Sequence, residues 1–256
     1  MTSEELEAAA LQELNMSFAG VRDLPEPKRH HEPVGNRKVR ILALHANGSN
    51  SNVMKFQTSK MRKAFGKEFQ WIIPDGLEPW EPLEDPPYPY LGEKSEIEKR
   101  LAGGKPFVQW WRPGDSETYW RAVRWLLAFT HENGPIDVIV SFSDSSPLVN
   151  RVTDEHQKIG LHVPWRSAVM CNGALDPGPF CSDPPFWPPA VCILSPAALR
   201  YHEQLAQARE LYRDPLVLEH GDGFGFPVSE PGATELYERL VAVVRAECGI
   251  SRGVAC

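Results

Sequence analysis

The chain has 256 residues, a formal net charge of −7 and 24% charged residues, which suits a single α/β domain with an ample core. The negative charge argues against a nucleic-acid-binding surface, and no apolar run is long enough to span a bilayer. The five cysteines are odd in number and lack Cys-x-x-Cys spacing, so neither a disulfide framework nor a zinc site is indicated. We expect no metal, no cofactor, no nucleic-acid partner and no membrane contact. Because Met1–Glu5 is acidic and unlike a targeting segment, a cytoplasmic location is predicted.

The first 35 residues are predicted to be an appendage to the domain. Thr2 and Glu5 have the spacing of a capping box, and apolar residues follow on one face of the short helix that it would start. Residues 23–33 are polar and rich in proline, which is typical of an extended linker. Residues 36–250 are assigned to one domain and residues 251–256 to a tail.

The domain is predicted to begin with a βαβ unit. Residues 38–45 have the alternating and then continuous apolar pattern of a strand, a polar loop covers residues 46–52, a helix covers about 53–65, and a second strand covers 69–73. The loop is rich in residues that tolerate unusual backbone angles and leave N–H groups free. His45, at the end of the first strand, is interpreted as structural rather than catalytic.

Residues 74–116 interrupt this pattern. Eight prolines exclude long helices and central strands, and the segment is dense in aromatic residues, among them Trp110 and Trp111. Long loops of this type often form lids or walls of binding sites. The alternative is a surface loop whose aromatic side chains fill the domain core, and the two interpretations are compatible.

Helices and strands then alternate to the end of the chain. Expected in order are a helix (116–131), a strand from residue 136, a helix ending near 160, two strands (165–171 and 191–194), a helix (198–212), a last strand (216–219) and a closing helix from Pro231. This alternation predicts a doubly wound, mostly parallel sheet with helices on both faces.

The stretch from Ile136 to Leu148 carries the chemistry. A short β-branched apolar run, typical of a strand buried on both faces, stops at small residues and is followed by Asp-Ser-Ser-Pro, which favours a helix start. A strand, a sharp turn bearing Ser143 and a helix form the geometry of a nucleophile elbow. In such sites the oxyanion hole is supplied by backbone N–H groups from the residue after the nucleophile and from an early loop. Here these are Asp144 and the loop residues Ala46 and Asn47.

Several further pieces occur in a set order: Leu44-His45, Ser49-Asn50, Phe56 to Arg62, the Asn-Gly-Pro-Ile-Asp stretch 133–137, the elbow 141–145, and the stretch Glu219 to Pro227. From about Arg37 to Val244, this arrangement resembles the FSH-type family of serine hydrolases, within the α/β-hydrolase fold. The resemblance implies that Ser143 is the nucleophile and that the substrates are small carboxylic esters or thioesters.

The chain departs from the pattern of that family at the catalytic residues. The resemblance places the catalytic histidine at Phe224, and it places the aspartate within the stretch 194–200, around Ala198, which contains no carboxylate. Serines replace both elbow glycines. His220, at the end of the last strand, is the remaining candidate base, with Asp222 or Glu219 to orient it. We expect its Nε2 atom to lie beyond hydrogen-bond reach of the Ser143 Oγ atom.

Two functions therefore stand as hypotheses. The first is a serine hydrolase of small esters or thioesters that uses a relocated base, and the second is an inactive relative that binds a small acyl ligand or a protein partner. In both, Trp110, Trp111 and Phe224 are expected to line the ligand pocket. A phosphate-binding α/β domain is disfavoured because no Gly-rich phosphate loop follows any strand. No oligomeric state is predicted.

Overall fold

The computed structural model describes residues 34–250, apart from 36, 83, 85–91, 174–185, 187–188, 199 and 230. The predicted N-terminal helix, its linker and the C-terminal tail thus lie outside the described residues. Within the described part, no helix is long and apolar enough to cross a membrane.

A six-stranded sheet forms the centre of the domain. Its strands are β1 (Val39–Leu44), β2 (Phe69–Ile72), β5 (Val138–Phe142), β6 (Ser167–Cys171), β7 (Ala190–Leu194) and β8 (Leu216–Glu219). They lie in the order β2-β1-β5-β6-β7-β8, and every neighbouring pair is parallel. The strand that precedes Ser143, β5, is near the middle of the sheet and is buried throughout, as its continuous apolar run predicts.

Seven helices are described: α1 (Ser51–Gln57), α2 (Ser59–Phe65), α3 (Glu96–Ala102), α4 (Ser116–Glu132), α5 (Ser146–Lys158), α6 (Tyr201–Leu211) and α7 (Gly232–Glu247). Because successive strand residues point to opposite faces, β1 contributes Val39, Ile41 and Ala43 to one core layer and Leu42 and Leu44 to the other. Helices α1, α2 and α7 cover the first face, and helices α4, α5 and α6 cover the second. The doubly wound α/β architecture is confirmed.

The single helix predicted over residues 53–65 is instead two helices, α1 and α2, that meet at Thr58. The Thr58 hydroxyl donates a hydrogen bond of 2.7 Å to the Met54 carbonyl. Threonine side chains that bond back to the preceding turn bend helices, and this bond lies at the break.

Residues 74–116 contain only short elements where they are described. Two two-residue strands, β3 (Glu78–Pro79) and β4 (Val108–Gln109), pair antiparallel, and the seven-residue helix α3 begins with a capping box between Ser95 and Glu98. The segment is anchored to the loop after β1, because Ser49 and Val108 exchange backbone hydrogen bonds of 3.2 and 2.8 Å. It therefore fixes the loop that follows β1.

Candidate active site

Ser143 lies immediately after β5, in a 3₁₀ turn (Ser143–Ser145) that leads into α5. Its φ angle is 51°, a left-handed backbone conformation that costs a non-glycine residue roughly 1–2 kcal/mol. The side chain is 5% exposed. A serine held in a strained turn between a buried strand and a helix is the local geometry expected of a nucleophile elbow.

The serines on either side of Ser143 close this turn with their hydroxyl groups. The Ser145 Oγ atom accepts the backbone N–H of Phe142 at 2.9 Å and bonds the Leu44 carbonyl of β1 at 3.0 Å. The Ser141 and Ser146 hydroxyls bond each other at 2.9 Å. The two positions where the resemblance expects glycine thus carry buried side chains that fix the turn to itself and to the neighbouring strand.

The loop after β1 is held in place by His45 and Trp110. The His45 Nδ1–H group donates to the Ala46 carbonyl at 2.7 Å, and its Nε2 atom accepts the N–H of Gly76 at 2.9 Å. Burial lowers the pKa of His45 to about 4, so the ring is neutral with both nitrogens engaged and has no lone pair left for Ser143. This agrees with the structural role expected for His45.

Trp110 and Trp111 differ in their surroundings. Trp110 is 0% exposed, its indole N–H donates to the His45 carbonyl at 2.7 Å, and its backbone N–H donates to the Asn47 side chain at 3.1 Å. Because Trp110 is fully buried, its expected place in a ligand-pocket wall is corrected: it is a core residue that fixes the loop. Trp111 is partly buried and packs edge-on against Tyr119.

Asp144 has a carboxylate that folds back onto the turn. Its Oδ2 atom accepts a hydrogen bond of 3.4 Å from the Ser143 hydroxyl. Burial raises the pKa of Asp144, and its own backbone N–H, the Ser143 hydroxyl and the Asn47 N–H oppose the rise.

The loop after β8 brings Phe224, rather than a histidine, to the elbow. The Phe224 ring lies 5.5 Å from the ring of Phe142, the residue before Ser143, and Phe224 is 43% exposed. The loop is fixed by Asn172, which follows β6 with a positive φ of 42°. The Asn172 amide donates to the Gly225 carbonyl at 2.9 Å, and its oxygen accepts the N–H of Ser195 at 3.1 Å.

His220 remains at the end of β8. Its backbone N–H donates to the Leu194 carbonyl at 3.1 Å. His220 therefore continues the hydrogen-bonded pairing between β8 and β7. Three strand spacings, ~14 Å, separate β8 from β5, which exceeds the combined reach of the two side chains. The His220 Nδ1 atom accepts the N–H of Asp222 at 3.3 Å, and Nε2 is buried without a hydrogen-bond partner.

The two carboxylates considered for orienting His220 are engaged elsewhere. The Asp222 carboxylate accepts the backbone N–H groups of Val228 and Ser229 at 2.8 and 3.0 Å, and together with the Ser229 hydroxyl they lower its pKa to about 2. The Glu219 carboxylate accepts the Tyr201 hydroxyl. Among the described histidines, none has a hydrogen bond to the Ser143 Oγ atom.

Comparison with known proteins is consistent with this geometry. The model of the family described as serine hydrolase (FSH1) matches residues 35–222, more than half of the chain. The chain belongs to the FSH1 serine hydrolase family. Esterase FPY3 of Fusarium mangiferae is 28% identical over 112 residues, a match that covers 43% of this chain and 46% of that esterase. The matched part is thus less than half of the relative's length.

Solved structures show the same fold at low sequence identity. Acyl-protein thioesterase 2 of Zea mays has a TM-score of 0.53 at 16% identity, covering 85% of this chain and 97% of its own. A carboxylesterase from Mesorhizobium loti has a TM-score of 0.52 at 14% identity, covering 79% of this chain and 88% of its own. The chain described here, a member of the FSH1 family, therefore has the α/β-hydrolase fold.

The side-chain role of Asp144 and the role of Asn172 were not predicted from the sequence. Asp144 was selected only for its backbone N–H group, and the signal available in the sequence was an acidic residue directly after the proposed nucleophile. Asp, like Asn, readily bonds nearby backbone N–H groups and tolerates turns. The stretch 194–200 supplies no carboxylate in the structure either, and Ser195 instead bonds the N–H of Ala197 at 3.3 Å.

Proposed function

We propose that this member of the FSH1 family binds small carboxylic esters or thioesters at Ser143 and hydrolyses them slowly at most. The observation that carries the proposal is the combination at the elbow of a strained Ser143 with Phe224 where the resemblance places the catalytic histidine. Esters as the ligand class are supported by the Fusarium esterase relative.

The chemistry explains why slow turnover is expected. A serine hydroxyl attacks a carbonyl at neutral pH only when an adjacent base takes its proton and a third group orients that base. Loss of the base of a serine triad lowers kcat by roughly 10⁶, while roughly 10³–10⁴ over water remains from the oxyanion hole and from binding. Here the position that the resemblance gives to the catalytic histidine holds the phenyl group of Phe224, which has no proton acceptor.

A second candidate is an inactive relative that binds an acyl ligand or a protein partner without turnover. One observation favours it: Phe224 is 43% exposed beside Phe142, so the base position offers an apolar surface instead of a catalytic group. The two candidates differ in whether Ser143 itself forms or breaks a bond.

The experiment measures hydrolysis of p-nitrophenyl acetate, p-nitrophenyl butyrate and a short-chain thioester by the full chain. We expect feeble rates that Ser143→Ala abolishes and that His220→Ala leaves unchanged. His202→Ala, which removes an exposed histidine from α6, is the matched control. Rapid hydrolysis that both Ser143→Ala and His220→Ala abolish would refute the proposal. Activity that no Ser143 variant changes would favour the inactive relative.

A further inference from the structure

A small cavity lies beside the elbow, between helices α5 and α6 and the sheet. Residues of β6 and β7 form its floor, namely Met170, Cys192 and Leu194. One wall comes from α5, where Ser146 and Asn150 lie one helical turn apart. The empty space is about 340 Å³ when the solvent at its mouth is included, and it has room for roughly two or three water-sized groups.

The facing wall, from α6, is polar for a helix stripe that turns toward a sheet. The residues of α6 that line the cavity are Gln204, Gln207, Ala208 and Leu211, which have the spacing of one helical stripe. A stripe that packs on a sheet is normally apolar, and the two glutamines depart from this rule. Such departures are expected at functional sites.

Two amide side chains in these walls each lack one hydrogen-bond partner. Asn150 is 3% exposed, and its Oδ1 atom accepts the Tyr212 hydroxyl at 2.7 Å, but its Nδ2 group meets no acceptor among the described residues. The Gln204 Oε1 atom is buried and has no donor in the described part of the chain. Because buried polar groups are normally paired, the cavity offers a ligand one donor from α5 and one acceptor from α6.

The cavity favours a neutral ligand. None of the described residues that line it carries a charge, and burial raises the pKa of the Cys192 thiol to about 12, so that group is neutral too. A carboxylate or an ammonium group would lose its hydration here without meeting a counter-charge, which is strongly disfavoured. A primary carboxamide is neutral, accepts through its oxygen and donates through its nitrogen, so it can bridge the two walls with two different atoms.

We propose that this cavity binds a small neutral ligand through a primary carboxamide group, whose oxygen accepts from the Asn150 Nδ2 group and whose N–H donates to the Gln204 Oε1 atom. The short apolar body of the ligand packs on Met170 and Leu194 of the floor. This inference goes beyond the proposed function. Ser143 is not among the residues that line the cavity, so the site does not depend on whether Ser143 reacts.

Butyramide and pentan-2-one test the hydrogen bond to Gln204, because the ketone has the same shape with a methyl group in place of the NH₂ group. In an NMR titration of the ¹⁵N-labelled full chain, butyramide should cause saturable shifts of the Asn150 and Gln204 side-chain NH₂ signals. Pentan-2-one should bind roughly five- to tenfold more weakly, which is the effect of one neutral hydrogen bond, and butyrate should not bind. The absence of a saturable shift with butyramide, expected if the cavity holds only water, would overturn the proposal.

Gln204→Met keeps the length of the side chain and removes its acceptor. In this variant butyramide and pentan-2-one should bind with equal affinity, whereas Gln70→Met, at an exposed position of β2, should keep the preference of the wild type for the amide. An equal loss for both ligands would contradict the hydrogen bond and leave Gln204 as a plain wall residue. If Gln204→Met does not fold, Ala208→Val, which adds bulk inside the cavity, should weaken both ligands, and unchanged binding there would refute the location.

Ser143→Ala separates the cavity from the acyl site. We expect this variant to bind butyramide as tightly as the wild type does. Loss of butyramide binding would place the amide at the elbow instead of in the cavity and would rule the cavity out. A failure of the chain to hydrolyse any ester, in contrast, contradicts only the proposed function.

Discussion

Replacement of Phe224 by histidine should create the base that, under the proposed function, the elbow lacks. The loop after β8 already brings residue 224 to within 5.5 Å, ring to ring, of Phe142 beside Ser143, and the residue is 43% exposed. An imidazole is smaller than the phenyl ring that it replaces, and at this exposed position it remains in contact with water. The loss of part of the Phe142 ring contact, ~0.5–1.5 kcal/mol for such a pair, is small against a typical stability of ~5–15 kcal/mol.

The size of the gain follows from what the site contains. A positioned general base contributes about 10²–10⁴ in rate. The lower end, about 10², is expected because the stretch 194–200 provides no carboxylate to hold the new ring in the correct tautomer. The neutral imidazole is the active form, so the gain should appear as the pH rises through about 6.5 and disappear below it.

The assay is kcat/KM for p-nitrophenyl acetate from pH 5 to 8 at about half-unit steps. Phe224→Ala is the matched control, because it opens the same space without adding a base. Phe224→His combined with Ser143→Ala should return the rate to background. A Phe224→His rate equal to that of Phe224→Ala would show that residue 224 is not directed at Ser143, and a gain that survives Ser143→Ala would show that the imidazole acts alone.

Three other substitutions test the elbow and its loop. Ser143→Gly should raise the free energy of unfolding in urea by about 1 kcal/mol, because glycine adopts a positive φ without conflict; no gain would mean that the turn stores no strain. Asp144→Asn should be more stable than the wild type at neutral pH. Burial raises the native pKa of Asp144, so the wild type regains stability as the pH falls through that pKa, and the difference should vanish below about pH 4; a difference independent of pH would refute this. Trp110→Phe should cost roughly 1–3 kcal/mol, because the His45 carbonyl loses its buried donor, whereas Trp111→Phe should cost clearly less; equal costs would contradict the anchoring role of Trp110.

The proposed absence of a base also changes what the retained parts of the site can do. The strained turn at Ser143 is a costly feature that a purely structural domain has no need to keep. It suits the presentation of the Ser143 hydroxyl to a carbonyl group. For this protein, measurements of ligand binding at Ser143 are therefore as informative as measurements of turnover.

Local sequence patterns predicted the parts of the fold that depend on nearby residues. The apolar run before Ser143 became the fully buried strand β5, and Asn133-Gly134-Pro135 ended the helix before it. The Asp-Ser-Ser-Pro stretch turned into helix α5, with Pro147 in its first turn. The alternation of such segments was enough to predict a doubly wound parallel sheet. In each case the local backbone preference of the residues and the burial of their apolar side chains favour the same conformation.

The contacts at the site depend on residues distant in the sequence, and these were predicted poorly. Trp110 was expected in a pocket wall, but it is in the core because the Ser49–Val108 bridge draws its segment under the loop at His45. The break between α1 and α2 at Thr58 was not predicted, because it accompanies a hydrogen bond from the Thr58 hydroxyl to the Met54 carbonyl that the sequence does not reveal.

The sequence by itself determined the parallel sheet and the position of Ser143 at a strand-to-helix turn, because periodicity and turn chemistry are local properties, and the resemblance of its motifs indicated the family. Only the tertiary structure decided that residue 224 meets Phe142 while His220 stays at the end of β8, and that the Asp144 carboxylate accepts the Ser143 hydroxyl. Such contacts depend on loop paths and side-chain rotamers, which are selected by packing between segments far apart in the chain.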